Sequence, residues 1–296
     1  MFVLLDGGMG RELQRIGAPF SQPLWSAQAL IEAPDAVYQA HQNFIDAGCD
    51  VITVNSYACV PFHLGEARYQ EQGFELAELA AQIAQRAAED SEREVRIAGC
   101  IPPVLGSYRP DLFNAEAATP IIQNLIDAQG GYVDFWLAET IGSIEEFHTI
   151  CDALTAETSN KPAYFAFSLM DSTMDQPRLR SGEAVADAVK AACERDVNGI
   201  LFNCSQPEVM LDAIAVARVI VDAHSNTISL GAYANGFSVI QQEHQANDAL
   251  TTVRELSADQ YAAYVKAWLD AGSNMVGGCC AIFPEHIAYL DSLRKK

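Results

Sequence analysis

Basic residues are scarce in this chain: 18 Lys and Arg stand against 39 Asp and Glu, a formal net charge of −21 over 296 residues. A field of that sign repels nucleic acid and anionic membrane surfaces, so neither is expected as a partner. The acidity itself reads as plain solubility. No apolar run approaches the roughly 18 residues that a membrane span needs. Met1-Phe2-Val3-Leu4-Leu5-Asp6 has no basic n-region and no cleavage site, so no secretory signal is expected there. The eight cysteines lack the spacing of a disulfide-framed small domain, which points to reduced thiols and a cytoplasmic location. No P-loop lysine with its Ser/Thr follows the glycine-rich Asp6-Gly7-Gly8-Met9-Gly10, and no dinucleotide fingerprint occurs. Neither the histidines nor any serine makes a hydrolase motif. His63 and His244 read as loop residues, and His41, His148, His224 and His286 as solvated or capping positions on helices. Linker-like Ser/Gly/Pro tracts and low-complexity segments are also missing, so residues 1–296 are expected to form one domain. A chain that is 50% hydrophobic has enough apolar surface for a full core.

What is present is an alternation. Short β-branched or apolar runs at 3–5, 50–54, 95–99, 132–137, 164–167, 198–202, 227–231 and 274–276 read as strands. Helical periodicity follows each of them, over 34–47, 66–89, 120–129, 143–155, 182–195, 207–223, 258–271 and 283–290. Ser143 is a capping residue and Pro284 suits a first helical turn. A polar loop with Asp171, Asp175 and Arg178 precedes the fifth helix, and a polar excursion is expected over 241–255. Eight strand–helix repeats predict an α/β fold, a single closed (β/α)8 TIM-type barrel. A doubly wound open sheet is the alternative.

Gly277-Gly278-Cys279-Cys280 falls where the eighth strand ends, the face on which barrel enzymes keep their chemistry. The glycines allow unusual backbone conformations and leave room for a ligand. Cys204 falls at the end of the sixth strand. Alternate strands feed the same layer of inward side chains, so Cys204, Cys279 and Cys280 can converge on a three-cysteine site for Zn2+ with one open position. Two buried thiols or a strained vicinal disulfide are the competing readings. Of the other cysteines only Cys100 is at a strand tip; Cys151 and Cys193 lie on helices, Cys59 in a loop and Cys49 after a helix-ending glycine. Asp6 and Glu139 are carboxylates at strand tips, beside Asn55, Ser168, Asn203 and Asn235. Singly each suits a cap or a turn; together they suit a small zwitterion.

These stretches resemble the homocysteine S-methyltransferases, zinc-dependent thiol methyltransferases on a (β/α)8 barrel. The matching segments are Asp6-Gly7-Gly8-Met9-Gly10, Asp50-Val51-Ile52-Thr53-Val54-Asn55-Ser56-Tyr57, Leu137-Ala138-Glu139-Thr140, Asn203-Cys204-Ser205-Gln206-Pro207-Glu208 and Gly277-Gly278-Cys279-Cys280. They span nearly the whole chain. The resemblance implies Cys204, Cys279 and Cys280 as zinc ligands, and Asp6, Gly7, Gly8 and Glu139 as the binding residues for the amino-acid end of homocysteine. Four positions depart from the pattern: Arg11 for threonine, Ala234 for proline, Ala281 for glycine, and Cys100 for serine or glycine. Arg11 is a candidate for a substrate carboxylate or a solvated helix residue.

The implied reaction is methyl transfer to the thiol of homocysteine, a step of methionine biosynthesis, and the expected partners are small molecules. Eight strand–helix units occupy the chain from Val3 to Leu290, leaving no second domain for a folate or cobalamin. Stand-alone barrels of the resembled family commonly use sulfonium or betaine donors, so the resemblance implies S-methylmethionine or S-adenosylmethionine as the expected donor. Betaine is its rival, because it too is a cation with a transferable methyl. The only obvious mouth aromatics for a quaternary ammonium cage are Tyr57, Tyr108 and Tyr233, however, and an amine is a poorer leaving group than a thioether. A thiol- or metal-sensing barrel, or an enzyme using Cys279-Cys280 as a redox pair, are the other classes. A monomer or a weak homo-oligomer is expected.

Overall fold

Strand and helix alternate along the chain because short continuous apolar runs alternate with helical ones, and most strand residues are buried on both faces, as in Gly199–Asn203. The computed structural model describes residues 2–157, 160–171, 176–224, 227–239 and 252–295. Its strands are β1 (Val3–Leu4), β2 (Val51–Thr53), β3 (Arg96–Ile101), β4 (Phe135–Ile141), β5 (Ala163–Ser168), β6 (Gly199–Asn203), β7 (Ser229–Tyr233) and β8 (Met275–Val276). All pair in parallel in the order β1-β8-β7-β6-β5-β4-β3-β2. A parallel bridge between Leu5 and Val51 closes the ring, which excludes the open doubly wound sheet. The chain is a (β/α)8 barrel.

That closing seam is thin, and two aspartates complete it. Asp50 donates its N–H to the Leu4 carbonyl at 2.7 Å, while its Oδ2 accepts the Leu4 N–H at 2.8 Å. One step further along, Asp6 Oδ2 accepts the Thr53 N–H at 2.8 Å. Each carboxylate supplies an acceptor that a ladder carbonyl would otherwise provide.

Helices α1 (Met9–Arg15), α2 (Ser26–Glu32), α3 (Pro34–Asp46), α4 (Pro61–Leu64), α5 (Glu66–Glu89), α6 (Ala115–Gln129), α7 (Ile144–Ala156), α8 (Val185–Glu194), α9 (Pro207–His224), α10 (Ala258–Asp270) and α11 (Pro284–Arg294) surround the sheet. In α5 the buried set Leu76, Ala77, Ala80, Ala81, Ile83, Ala84 and Ala87 repeats at three and four residues, so one apolar stripe faces the barrel. Inside the ring a separate cluster of Leu5, Val51, Ala98, Phe135, Leu137, Ala166, Leu201, Tyr233 and Met275 fills the barrel.

Several element limits differ from expectation. Helix α6 starts at Ala115 rather than 120, because the Asn114 side chain caps it by accepting the Ala117 N–H at 2.9 Å. Pro120 is exposed within that helix, and so is Glu116, whose carbonyl can turn to water for the hydrogen bond proline cannot donate. Strand β4 runs from 135 to 141 rather than 132 to 137, so Glu139 and Thr140 lie in the strand, at a register irregularity where Thr140 has φ 64°. Helix α8 starts at Val185 rather than 182, since Arg178 and Ala184 form an antiparallel bridge. The short helices α1, α2 and α4 are additions. His63 lies in α4 and is buried, not in a loop. His41 is fully buried in α3, where desolvation pushes it down to about 4; it neither caps nor meets solvent. His286 does cap α11, accepting the Phe283 N–H at 3.1 Å. Asp175, His244 and most of the 241–255 excursion lie outside the described residues; its end, Val253, pairs with Phe237.

Candidate metal centre and substrate pocket

Strand alternation brings the first functional group inward. Phe135, Leu137 and Glu139 occupy every second position of β4, so the carboxylate points where the two apolar side chains fill the barrel, one layer nearer the mouth. Glu139 is held from two sides. The Cys100 thiol donates to Oε1 at 3.2 Å, and the Tyr233 hydroxyl donates to Oε2 at 3.2 Å. Burial pushes its pKa up to about 7. Asp6 is also buried, and desolvation, with the nearby Glu139 charge as a smaller contribution, pushes it up to about 8. Both line one pocket, and among the described residues neither belongs to an ion pair. Two desolvated carboxylates without a cation call for a cationic ligand. Helix α7 is capped by Ser143 Oγ, which accepts the Glu146 N–H, so Glu139 has no capping role.

The sulfurs come from the two neighbouring strand ends that flank β7. Cys204 donates its N–H to the Tyr233 carbonyl at 3.3 Å, and Cys279 to the Ala234 carbonyl at 2.9 Å, so both cysteine loops hang on the end of β7. Tyr261 of α10 clamps the same edge: its hydroxyl donates to the Gly277 carbonyl at 2.7 Å and accepts the Ala234 N–H at 3.1 Å. Cys204 has φ 49°, a left-handed conformation that costs a non-glycine residue about 1–2 kcal/mol. After Cys279 the chain turns back at once, with the Ile282 N–H donating to the Cys279 carbonyl at 3.0 Å and Ala281 at φ 62°. Glycine takes that left-handed conformation without the steric cost that Ala281 bears.

As a result the Sγ atoms of Cys204, Cys279 and Cys280 lie within 4.8 Å of one another. All eight cysteines are free, and this trio is the grouping of potential metal ligands found among the described residues. Hydrogen bonds from Cys279 and Cys280 hold the Cys204 thiol well below its usual range, while sharing with Cys204 pushes both partners well above theirs. An all-sulfur set of this kind, with Cys204 buried and Cys279 and Cys280 half-buried, fits a thiophilic divalent metal.

The glycines around the site act differently from expectation. A Cβ on Gly277 would stand 2.5 Å from the Leu5 Cβ, and one on Gly278 would collide with the Ile282 side chain. Their missing side chains make room for Leu5 and for the turn at Ile282, and Gly278 also lines the pocket. Likewise a Cβ on Gly8 would come within 2.7 Å of the Cys279 carbonyl, and one on Gly7 would meet the Ile282 carbonyl. Gly7 and Gly8 line the pocket and also let the cysteine turn pass over the start of α1.

Of the other expected residues, Asn55 lines the pocket, its Nδ2 donating to the Ser26 carbonyl at 3.4 Å. Ser168 and Asn235 do not line it. Ser168 packs against Ser205 and Arg180 behind Cys204, and Asn235 Oδ1 accepts the Phe237 N–H within its own turn. Asn203 is also turned away, bracing Thr140. Arg11 is half-buried on the pocket wall, 5.4 Å from the Phe237 ring centroid, so it is not a solvated helix residue. Tyr57, Tyr108 and Tyr233 do reach the mouth, joined by Phe20, Trp25 and Phe237. Those three sit in segments without helical or strand periodicity, and no local signal marks them.

The model of a family described as homocysteine S-methyltransferase matches residues 3–293. The selenocysteine methyltransferase of Astragalus bisulcatus is 27% identical over 323 residues, covering 96% of this chain and 90% of its own. The homocysteine S-methyltransferase of Escherichia coli (strain K12) is 27% identical over 309 residues, covering 97% and 94%. The crystal structure of the Escherichia coli homocysteine methyltransferase in its metallated form matches with a TM-score of 0.75 at 25% identity, over 99% of this chain and 96% of that one.

Proposed function

The chain belongs to the homocysteine S-methyltransferase family, and from that premise we propose that it carries a methyl group from S-methylmethionine or S-adenosylmethionine to the thiol of homocysteine, giving methionine, with Zn2+ held by Cys204, Cys279 and Cys280. The observation that carries this reading is the meeting of three cysteine sulfurs within 4.8 Å on the wall of a pocket that also holds Asp6 and Glu139. Zn2+ in that place supplies Lewis acidity without redox chemistry, which keeps a sulfur ligand ionised at neutral pH although a free thiol has a pKa of about 8.5.

The chain's own residues do the rest. Glu139 and Asp6 pair with the ammonium of the acceptor, whose charge offsets their desolvation. Gly7 and Gly8 present backbone to its amino-acid end. Trp25, Tyr57, Tyr108 and Phe237 offer ring faces to the cationic donor and exclude water. Held in line, the acceptor sulfur attacks the methyl carbon. The new S–C bond forms as the donor's C–S bond breaks, and a neutral thioether leaves. No base acts on the methyl group; alignment is the protein's task. Relatives from Astragalus bisulcatus and Brassica oleracea are named for selenocysteine, so the selenol of selenocysteine is the second acceptor to compare.

Methionine formation from homocysteine, with S-methylmethionine, S-adenosylmethionine and betaine supplied separately, tests the reading. Turnover with a sulfonium is expected. Turnover with betaine alone sinks the donor assignment. A metal-loaded protein inert with every donor favours a metal- or thiol-sensing barrel.

A further inference from the structure

A buried polar frame surrounds Cys204, made of Tyr108, Arg180 and Asp171. Tyr108, in the loop after β3, has φ 65° and is buried, with its hydroxyl 2.8 Å from Cys204 Sγ. The Arg180 guanidinium lies 5.1 Å from the centre of the Tyr108 ring, on which a cation is favourably placed. Arg180 Nη2 donates to Asp171 Oδ2 at 2.9 Å, in an ion pair whose side chains are only 5% and 0% exposed. Asp171 Oδ1 in turn accepts the Gln206 N–H at 2.9 Å, two residues after Cys204. Three loops, following β3, β5 and β6, therefore close on one sulfur.

The methyl transfer uses neither Arg180 nor Asp171 directly, and neither lines the pocket, yet burying an ion pair is expensive unless the geometry serves something. Cys204 itself is in a left-handed conformation that only its surroundings can hold. A metal site depends on groups that orient its ligands, and their loss typically weakens metal binding by about 10–100-fold.

We propose that Tyr108 is a positioning residue for the metal site, its hydroxyl donating to Cys204 Sγ and its ring held by the buried Arg180–Asp171 pair, so that the Cys204 sulfur faces Cys279 and Cys280. This rests on the reading of those three cysteines as metal ligands. Phenylalanine at 108 keeps the ring on Arg180 and removes the donor.

The test measures Zn2+ affinity by chelator competition, and the Co2+-loaded absorption spectrum, for wild type, Tyr108→Phe and Cys204→Ser. Zn2+ affinity is expected to fall about 10–100-fold in Tyr108→Phe, with the sulfur-to-cobalt charge-transfer band shifted to lower energy as the hydrogen bond is lost. Wild-type affinity with an unshifted band in Tyr108→Phe overturns the proposal, whatever happens to turnover. Equal Zn2+ binding by wild type and Cys204→Ser overturns the underlying ligand assignment instead. A fluorinated tyrosine at 108 preserves the fold if phenylalanine does not. Its stronger donor must move the cobalt band to higher energy, and an unmoved band counts against the proposal.

Discussion

Binding of the amino-acid substrate should release protons, and the structure sets the scale. Glu139 is held near 7 and Asp6 near 8 by burial, whereas a paired ammonium needs them ionised. Methionine, the proposed product, has the same ammonium group, which stays charged from pH 6 to 8. At pH 6 ionising Glu139 costs about 1.4 kcal/mol, and at pH 8 almost nothing. If Glu139 alone must ionise, methionine affinity falls about tenfold from pH 8 to pH 6. If Asp6 ionises too, the fall is on the order of several hundredfold. The two carboxylates repel each other, so the steps belong to the pair rather than to either residue. Titration calorimetry at pH 6, 7 and 8, in buffers of different ionisation enthalpy, reads both the affinity and the protons released. Glu139→Gln should bind more weakly at pH 8 and lose about tenfold of the pH dependence. An affinity flat between pH 6 and 8, or a Glu139→Gln protein with the full wild-type dependence, refutes the reasoning.

Other consequences are as direct. Cys204→Ser, Cys279→Ser and Cys280→Ser should each lose metal and turnover, and metal analysis showing full Zn2+ retention in any one of them removes that residue from the ligand set. Gly8→Ala places a Cβ 2.7 Å from the Cys279 carbonyl, so it should cost about 1–3 kcal/mol and weaken Zn2+ binding. Denaturant melts and chelator competition check both effects. Asp6→Asn keeps an acceptor for the Thr53 N–H and removes a buried charge. Because the folded pKa lies above the ordinary 3.8, wild-type Asp6 loses stability as pH rises from there to about 8. The variant's Tm advantage should therefore grow between pH 5 and 8, by about 5 °C, in thermal scans of the ligand-free protein; a constant difference contradicts the buried-charge account. Ala281→Gly relieves a left-handed residue at φ 62° and should raise the Tm without moving Zn2+ affinity.

Eight apolar runs in register with eight helical repeats were enough to imply the barrel, because burial of both sheet faces writes itself into local periodicity. The span of α5 was legible to the residue: Gly65, at φ 75°, stands just before it, and a 3-4 stripe runs from Gly73 through Leu76, Ala77, Ala80, Ala81, Ile83 and Ala84 to Ala87. Strand ends also marked where chemistry would gather, which is how Cys204, Cys279 and Cys280 stand out from other residues of their kind, while Glu139 lies inside the longer β4, two residues before its end. Local sequence could not say which neighbouring polar side chains turn toward the pocket. Ser168, Asn203 and Asn235 occupy strand ends as Asn55 does, yet they turn to brace Arg180, Thr140 and the turn at Phe237. Their direction depends on partners 12, 63 and 2 residues away, so the first two at least are settled only when distant loops meet. The double glycines were legible as a motif but not in purpose, since the atoms that exclude a Cβ belong to Leu5, Cys279 and Ile282. The Tyr108–Cys204 contact spans 96 positions and links groups with no shared pattern. Only the closed barrel, by bringing the loops after β3, β5 and β6 to one side of a single sulfur, creates it.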